Sequence, residues 1–134
     1  CWCAFIDSAP VAFVAVLHFP HPKAKNVKRE HRAVCLPDYQ GAGIGNAMSA
    51  YVGSMCKSLG YRYHSQTSHP SMIRSRAKSD KWSMIAKPNN STKVMGTRLK
   101  GGYSAGIATR LRATFEYVGP ALDKAEASRV WSGL

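Results

Sequence analysis

The chain has 134 residues, 45% of them hydrophobic, and 19 lysines and arginines against 7 acidic residues give a formal net charge of +12. This length supports one domain over residues 1–134, and no apolar run reaches the roughly 20 residues that a membrane-spanning helix needs, so we expect no membrane partner. Four cysteines are too few for a secreted disulfide scaffold, and no second ligand pair stands at zinc spacing, so we expect a reduced, cytoplasmic protein without a metal.

Three β-strands are predicted before the first helix, over residues 2–6 (WCAFI), 11–19 (VAFVAVLHF) and 30–36 (EHRAVCL). The second strand is almost continuously apolar, which is typical of a strand that is buried on both faces. Turn residues between the first two strands predict a hairpin. Residues 23–28 are predicted to be a basic loop.

An amphipathic helix is predicted from about Asn46, since four apolar residues recur at steps of three and four: Met48, Val52, Met55 and Leu59. Ser49 lies away from this stripe. A strand over residues 61–67, a helix over 70–78 and a strand over 82–86 follow.

Residues 87–106 are rich in Gly, Asn, Ser and Lys and have no apolar period, so they are predicted to be a long, mobile, basic loop. Residues 107–118 alternate, with Ala113, Phe115 and Tyr117 on one face and Arg112 and Glu116 on the other. A terminal helix is predicted over 121–131. This order of elements indicates an α+β fold with a mixed sheet.

The most informative segment is PDYQGAGIG, residues 37–45, between the third strand and the first helix. A helix N-terminus exposes unpaired amides and a partial positive charge, and glycines let an anion approach them. The segment therefore predicts a phosphate cradle. The alternative is a turn that only packs the helix on the strand. A dinucleotide fold or a Walker loop needs other spacings, which the segment lacks.

Gln40, Gly43 and Gly45 match the pattern Gln/Arg-x-x-Gly-x-Gly/Ala, preceded by a strand and followed by a helix. In this the chain resembles the GNAT superfamily of acyl-CoA-dependent acyltransferases. The resemblance implies a mixed, mostly antiparallel central sheet flanked by helices. It also implies an enzyme that moves an acetyl or other acyl group from acyl-CoA, with acetyl-CoA as co-substrate, to an amine acceptor.

The resemblance also implies roles for single residues. The backbone amides that would hold the pyrophosphate of acetyl-CoA belong to Gln40, Gly41, Ala42, Gly43, Ile44, Gly45 and Asn46. Strand backbone for the pantetheine arm would come from Val34, Cys35 and Leu36. In this family the sheet splays beside that strand, and the thioester lies in the gap.

Three residues are candidates for acid–base chemistry. Glu30 stands where relatives place a general base, His31 follows it, and His69 precedes the second helix. A surface ion pair is the alternative for Glu30, and helix capping is the alternative for His69. The tyrosine that relatives use as proton donor is absent, because Arg76 occupies about that position.

Relatives also have a strand and helices before the segment that corresponds to residues 2–6, and these commonly wall the acceptor site. Two alternatives are therefore expected: the chain is an N-terminally truncated fragment of a longer protein, or a further domain or subunit completes that site. The positive charge favours an anionic acceptor or nucleic acid. Two alternative functions stay open: a basic nucleic-acid-binding module, and a catalytically inactive domain that binds coenzyme A.

Overall fold

The computed structural model describes residues 1–20, 23–89 and 112–133. In chain order their elements are β1 (Trp2–Ile6), β2 (Ala9–His18), β3 (Val27–Cys35), a 3₁₀ turn (Pro37–Tyr39), α1 (Ile44–Ser58), β4 (Arg62–Thr67), α2 (Pro70–Lys78), β5 (Trp82–Asn89), β6 (Arg112–Tyr117) and α3 (Lys124–Ser132). Among these described helices, none combines the length and the apolar character that crossing a bilayer would demand.

The strands form one six-stranded sheet in the order β1-β2-β3-β4-β6-β5. Every neighbouring pair is antiparallel except β3 and β4, which run parallel because α1 connects them as a crossover. The predicted α+β fold with a mixed, mostly antiparallel sheet is confirmed. The predicted hairpin of β1 and β2 is present, and its turn residues Asp7 and Ser8 have φ angles of 47° and 66°, as tight hairpin turns favour.

The β3 strand carries a bulge at His31. Ala15 of β2 pairs with Arg32 and Val16 pairs with Glu30, so His31 is an extra residue on β3. A bulge bends its strand and increases the local twist. Accordingly β3 pairs with β4 only from Val27 to Arg29. Beyond Arg29 the two strands separate, and the sheet has a gap in its middle.

The core lies between the sheet and the three helices, which pack on one face. Its buried apolar side chains include six from α1, β4 and β6: Val52, Met55, Cys56, Tyr63, Ala113 and Phe115. Burial raises the pKa of the Cys56 thiol to about 12. The predicted buried face of β6 is confirmed. However, β2 is not buried on both faces, because Leu17 is 54% exposed.

Several boundaries differ from the predictions. The α1 helix begins at Ile44 rather than near Asn46, because Gly43 is its N-cap. The β3 strand begins at Val27, inside the predicted basic loop, where it pairs with β4. The β5 strand runs to Asn89, because it stays paired with β6, so residues 87–89 are not part of a loop. Residues 90–106 of that loop and the predicted strand residues 107–111 lie outside the described residues.

Gly53 sets the distance between α1 and the sheet. A Cβ atom at this position would lie 2.7 Å from Cγ of Tyr117, which is too close for real carbon atoms. We expect overpacking in Gly53→Ala to lower the free energy of unfolding by about 1–3 kcal/mol. The higher helix propensity of alanine offsets roughly 1 kcal/mol of this loss. Urea denaturation measures this difference.

Gly45→Ala is the matched control in the same helix, because its Cβ would meet only Cε of Met72, at 4.0 Å. This variant should be as stable as wild type or slightly more stable. Equal stability of Gly53→Ala and Gly45→Ala would show that the contact with Tyr117 does not limit the packing of α1.

Candidate active site

A cleft of about 560 Å³ opens where β3 and β4 separate. Its walls come from the open edge of β3, the end of β4, the start of α2, and the glycine-containing segment with the first turn of α1. Of the residues predicted to bind the cofactor, seven line it: Cys35, Gln40, Gly41, Gly43, Ile44, Gly45 and Asn46. Val34, Leu36 and Ala42 do not.

The glycine segment leaves the start of α1 open. Gly41 and Gly43 have φ angles of +88° and +82°, which side chains other than glycine rarely adopt, and a Cβ on either would meet nothing within 4 Å. Gly43 is the N-cap and supplies no side chain, and the first turn contains no acidic residue. The amides and the partial positive charge of this helix end are therefore not neutralised from within α1.

The backbone of β3 directs alternate residues to its two edges. Leu36 donates its N–H to the carbonyl oxygen of Val11 at 2.9 Å, which turns it toward β2. By alternation Val34 also faces β2, whereas Ala33 and Cys35 face the gap. The carbonyl of Cys35 accepts a hydrogen bond from Nε2 of Gln40 at 2.9 Å, so the glycine segment is tied to the open edge.

Glu30 lies at the bottom of the cleft and is only 8% exposed. Its carboxylate accepts hydrogen bonds from three hydroxyls: Oγ of Ser49, the phenol of Tyr63 at 2.7 Å and Oγ of Ser65 at 2.6 Å. Burial, and then the charge of Glu30, raise the pKa of Tyr63 well above its usual value, so this phenol stays protonated and donates. Glu30 is therefore not the exposed carboxylate of a surface ion pair.

Arg76 is the buried cation of this network. It is 1% exposed, and its Nη2 lies 3.9 Å from Oε1 of Glu30. The guanidinium also donates to Ser49 and Ser65 and lies 4.2 Å from the ring centre of Trp82. Burial lowers the pKa of Arg76, while the charge of Glu30 opposes that shift.

Arg76 also reaches the start of α1. Its Nε donates to Oδ1 of Asn46 at 3.3 Å, and Nδ2 of Asn46 donates to Oγ of Ser75 at the same distance. Through these bonds α2 braces the first turn of α1. Arg76 thus connects the carboxylate of Glu30 to the glycine segment.

The two histidines lie on the cleft surface. His31 is the bulged residue of β3 and is exposed. His69 is the N-cap residue of α2, but its side chain makes no capping bond. Instead, Nδ1 of His69 lies 2.7 Å from Oγ of Ser71, which fixes the orientation of the ring. The structure therefore brings Glu30, His31 and His69 to one cleft.

Sequence reasoning missed the polar network around Glu30. Ser49 was expected to lie away from the buried stripe of α1, yet it is fully buried. The sequence did carry one signal for this network. Polar residues, Ser65 among them, lie on a strand that the order of elements places inside the sheet. In the described ranges no three His, Cys, Asp or Glu side chains lie together as a metal ion would require.

Arg76→Met should strongly destabilise the fold. The variant leaves the carboxylate of Glu30 buried without its cation, which typically costs about 3–5 kcal/mol of unfolding free energy. The double variant Glu30→Gln, Arg76→Met should be more stable than Arg76→Met alone, because it removes both charges. Arg74→Met, on an exposed position of the same helix, should change stability by less than about 0.5 kcal/mol. Urea denaturation of wild type, the single variants Glu30→Gln and Arg76→Met, the double variant and the control Arg74→Met tests this. Additive effects of the two single changes would contradict the coupling.

No protein-family model and no curated protein sequence matches the chain. Solved structures do. An IAA acetyltransferase from Bacillus cereus superposes with a TM-score of 0.59 at 14% identity over 86% of this chain and 74% of its own. Ard1 from Thermoplasma volcanium superposes with a TM-score of 0.53 at 14% identity, over 87% of this chain and 67% of its own.

A third structure is the ribosomal-protein-S18-alanine N-acetyltransferase from Escherichia coli, with a TM-score of 0.52 at 12% identity over 89% of this chain and 68% of its own. A GNAT-family acetyltransferase structure from Desulfovibrio desulfuricans also superposes. At these identities the likeness concerns the fold. The chain has the fold of the GNAT acetyltransferases.

Proposed function

We propose that the chain is an acyl-CoA-dependent N-acyltransferase that moves an acetyl or other acyl group to an amine. The observation that carries the proposal is the uncapped start of α1, which opens through Gly41 and Gly43 onto a cleft at the splayed edge of β3. This arrangement stands in the fold of acetyltransferases. It offers unpaired amides to an anion at one end and strand backbone to an extended chain along one side.

Each part of acetyl-CoA has a matching surface in this cleft. The pyrophosphate would lie on the amides from Gly41 to Asn46, where no side chain blocks its approach. The pantetheine arm would extend along the edge of β3, where the backbone of Ala33 and Cys35 faces the gap. We therefore replace Val34 and Leu36, whose backbone faces β2, by Ala33 in this role.

Bound acyl-CoA would supply an activated acyl carbonyl and a thiolate leaving group. In the transfer the amine nitrogen forms a bond to the carbonyl carbon, and the carbon–sulfur bond breaks. One proton must leave the amine, and one must reach the thiolate. We assign removal of the proton from the amine to His31, because imidazole is a common general base and His31 is exposed in the cleft. We assign protonation of the leaving thiolate to His69.

Glu30 fits a supporting role better than that of the base. Both of its oxygens already accept hydrogen bonds from hydroxyl groups, and Arg76 lies beside it. A carboxylate held this way fixes the floor of the cleft and the bulge next to it.

The two alternative functions make different demands. A nucleic-acid-binding module would use the net positive charge without the cleft, and its affinity would fall steeply with salt. An inactive domain would bind coenzyme A without turnover.

The cytoplasmic location and the further domain or subunit at the acceptor site stay predictions.

Gly43→Asp should abolish tight binding of acetyl-CoA. The new carboxylate would stand where the pyrophosphate binds. Such like-charge contacts cost several kcal/mol, so affinity should fall at least about 100-fold. Gly60→Asp is the matched control. Gly60 has the same φ angle of +82° and the same open surroundings, but it lies just beyond the other end of α1. Isothermal titration calorimetry of the three proteins gives the comparison.

If wild type does not bind acetyl-CoA, or if Gly43→Asp binds it as well as Gly60→Asp does, the proposal is wrong. Salt-sensitive binding of an oligonucleotide by all three proteins, without binding of acetyl-CoA, would favour the nucleic-acid module. Binding of acetyl-CoA without transfer to any amine would favour the inactive domain.

His31→Gln should lower kcat at least about 100-fold, since general-base catalysis typically contributes that much. The affinity for acetyl-CoA should stay unchanged, and the limb of the pH–rate profile that rises toward alkaline pH should disappear. His69→Gln should retain that limb. If His31→Gln retains the alkaline limb and His69→Gln loses it, His69 is the general base and His31 the proton donor.

A further inference from the structure

A second cavity, of about 300 Å³, lies beside the same gap in the sheet. Leu17, Phe19 and Arg29 line it, and Glu30, His31 and Gln66 line both this cavity and the larger cleft. The two cavities therefore meet at the residues where β3 and β4 separate.

The alternation of the strands places this cavity on the sheet face opposite to α1. Glu30 and Ser65 face α1. The carboxylate of Glu30 accepts hydrogen bonds there from Oγ of Ser65 and from Oγ of Ser49 on α1. Arg29 and Gln66, each one residue away along its strand, must point to the other face. Their side chains meet there across the gap, as Nη2 of Arg29 donates to Oε1 of Gln66 at 2.7 Å.

Arg29 is held in place without an anion of its own. Besides its bond to Gln66, its guanidinium lies 5.2 Å from the ring centre of Phe19. Among the described residues no carboxylate forms an ion pair with it. Glu30 is beside Arg76, and Glu116 is engaged by Arg62 and lies near His64. A preordered guanidinium with spare N–H groups is a binding site for a planar carboxylate.

We infer that this second cavity binds the acyl acceptor, and that the acceptor is a small primary amine that also carries a carboxylate, which Arg29 holds. The inference rests on the proposed acyltransferase function. The carboxylate would lie at Arg29, on the far side of the gap from the cradle. The amine would point to His31, which borders the cleft where the thioester would lie.

The size of the cavity limits the acceptor. A volume of about 300 Å³ corresponds to roughly ten water molecules in the liquid. This space suits an amino acid or a compound of that size. Leu17 and Phe19 give the cavity an apolar side, so an apolar or aromatic substituent on the acceptor is favoured.

The test compares amino acids with the amines that remain when their carboxylate is removed. Tyrosine with tyramine, leucine with isopentylamine, and lysine with cadaverine form three such pairs. Turnover is followed by the loss of thioester absorbance, because Cys1 and Cys3 are exposed and would react with disulfide reagents. For at least one pair, wild type should show kcat/KM about 10- to 100-fold higher for the amino acid, as expected for hydrogen bonds to a charged group.

Arg29→Gln should remove this preference by raising KM for the amino acid while leaving the amine unchanged. Arg29→Lys should keep part of it, because a lysine keeps the charge but not the fork of donors. Arg74→Gln, on an exposed position that lines neither cavity, should behave as wild type. Titration of each N-acetylated product into the protein loaded with coenzyme A gives the same comparison without turnover.

Calorimetry with acetyl-CoA separates the two ways to fail. If wild type does not bind acetyl-CoA, the acyltransferase function itself is wrong. If it binds acetyl-CoA but shows no preference for the carboxylate, or a preference that Arg29→Gln retains, the inference about Arg29 alone is overturned. It is also overturned if no member of the panel is acetylated or bound. The same holds if the protein acetylates only phosphate-bearing amines such as phosphoethanolamine.

Discussion

The early end of the pairing between β3 and β4 determines most of this structure. The two strands share only the stretch from Val27 to Arg29, and the bulge at His31 then bends β3 away. A gap in the middle of a sheet exposes backbone groups that a continuous sheet would pair. One edge of β3 thereby becomes available to a ligand, and both cavities open beside it. The glycine segment can reach this edge because it follows β3 directly.

The gap has a cost that the buried polar network offsets. Where the strands separate, apolar side chains from the sheet cannot meet across the opening, and water would enter. Glu30, Arg76 and three hydroxyls fill this place instead, with every carboxylate oxygen hydrogen-bonded. Buried ion pairs contribute little net stability, but breaking one leaves an uncompensated buried charge. The network therefore fixes the width of the gap and, through Asn46, the position of the first turn of α1.

Local patterns predicted the order of the elements and the open glycine segment, because apolar periodicity and glycine spacing are properties of neighbouring residues. Gln40, Gly43 and Gly45 predicted a phosphate cradle at the start of α1. Seven of the ten residues predicted to bind the cofactor line the cleft, while the binding itself stays a prediction. The partners of Glu30 in the buried network could not be predicted. This network joins β3, α1, β4 and α2, so its members are up to 46 positions apart (Glu30 and Arg76), and only the tertiary fold shows that Ser49 faces a carboxylate and not solvent.

The charges beside the gap show why the net positive charge says little until each cation is placed. Arg76 and Arg29 lie on opposite faces of the same sheet. Arg76 is desolvated and beside Glu30, so it holds the fold together and offers no charge to a ligand. Arg29 bonds only to a neutral amide and an aromatic ring among the described residues, so its charge is available. The same residue type is thus structural on one face and free to select a ligand on the other, and the position of Glu30 on the helix-covered face decides which is which.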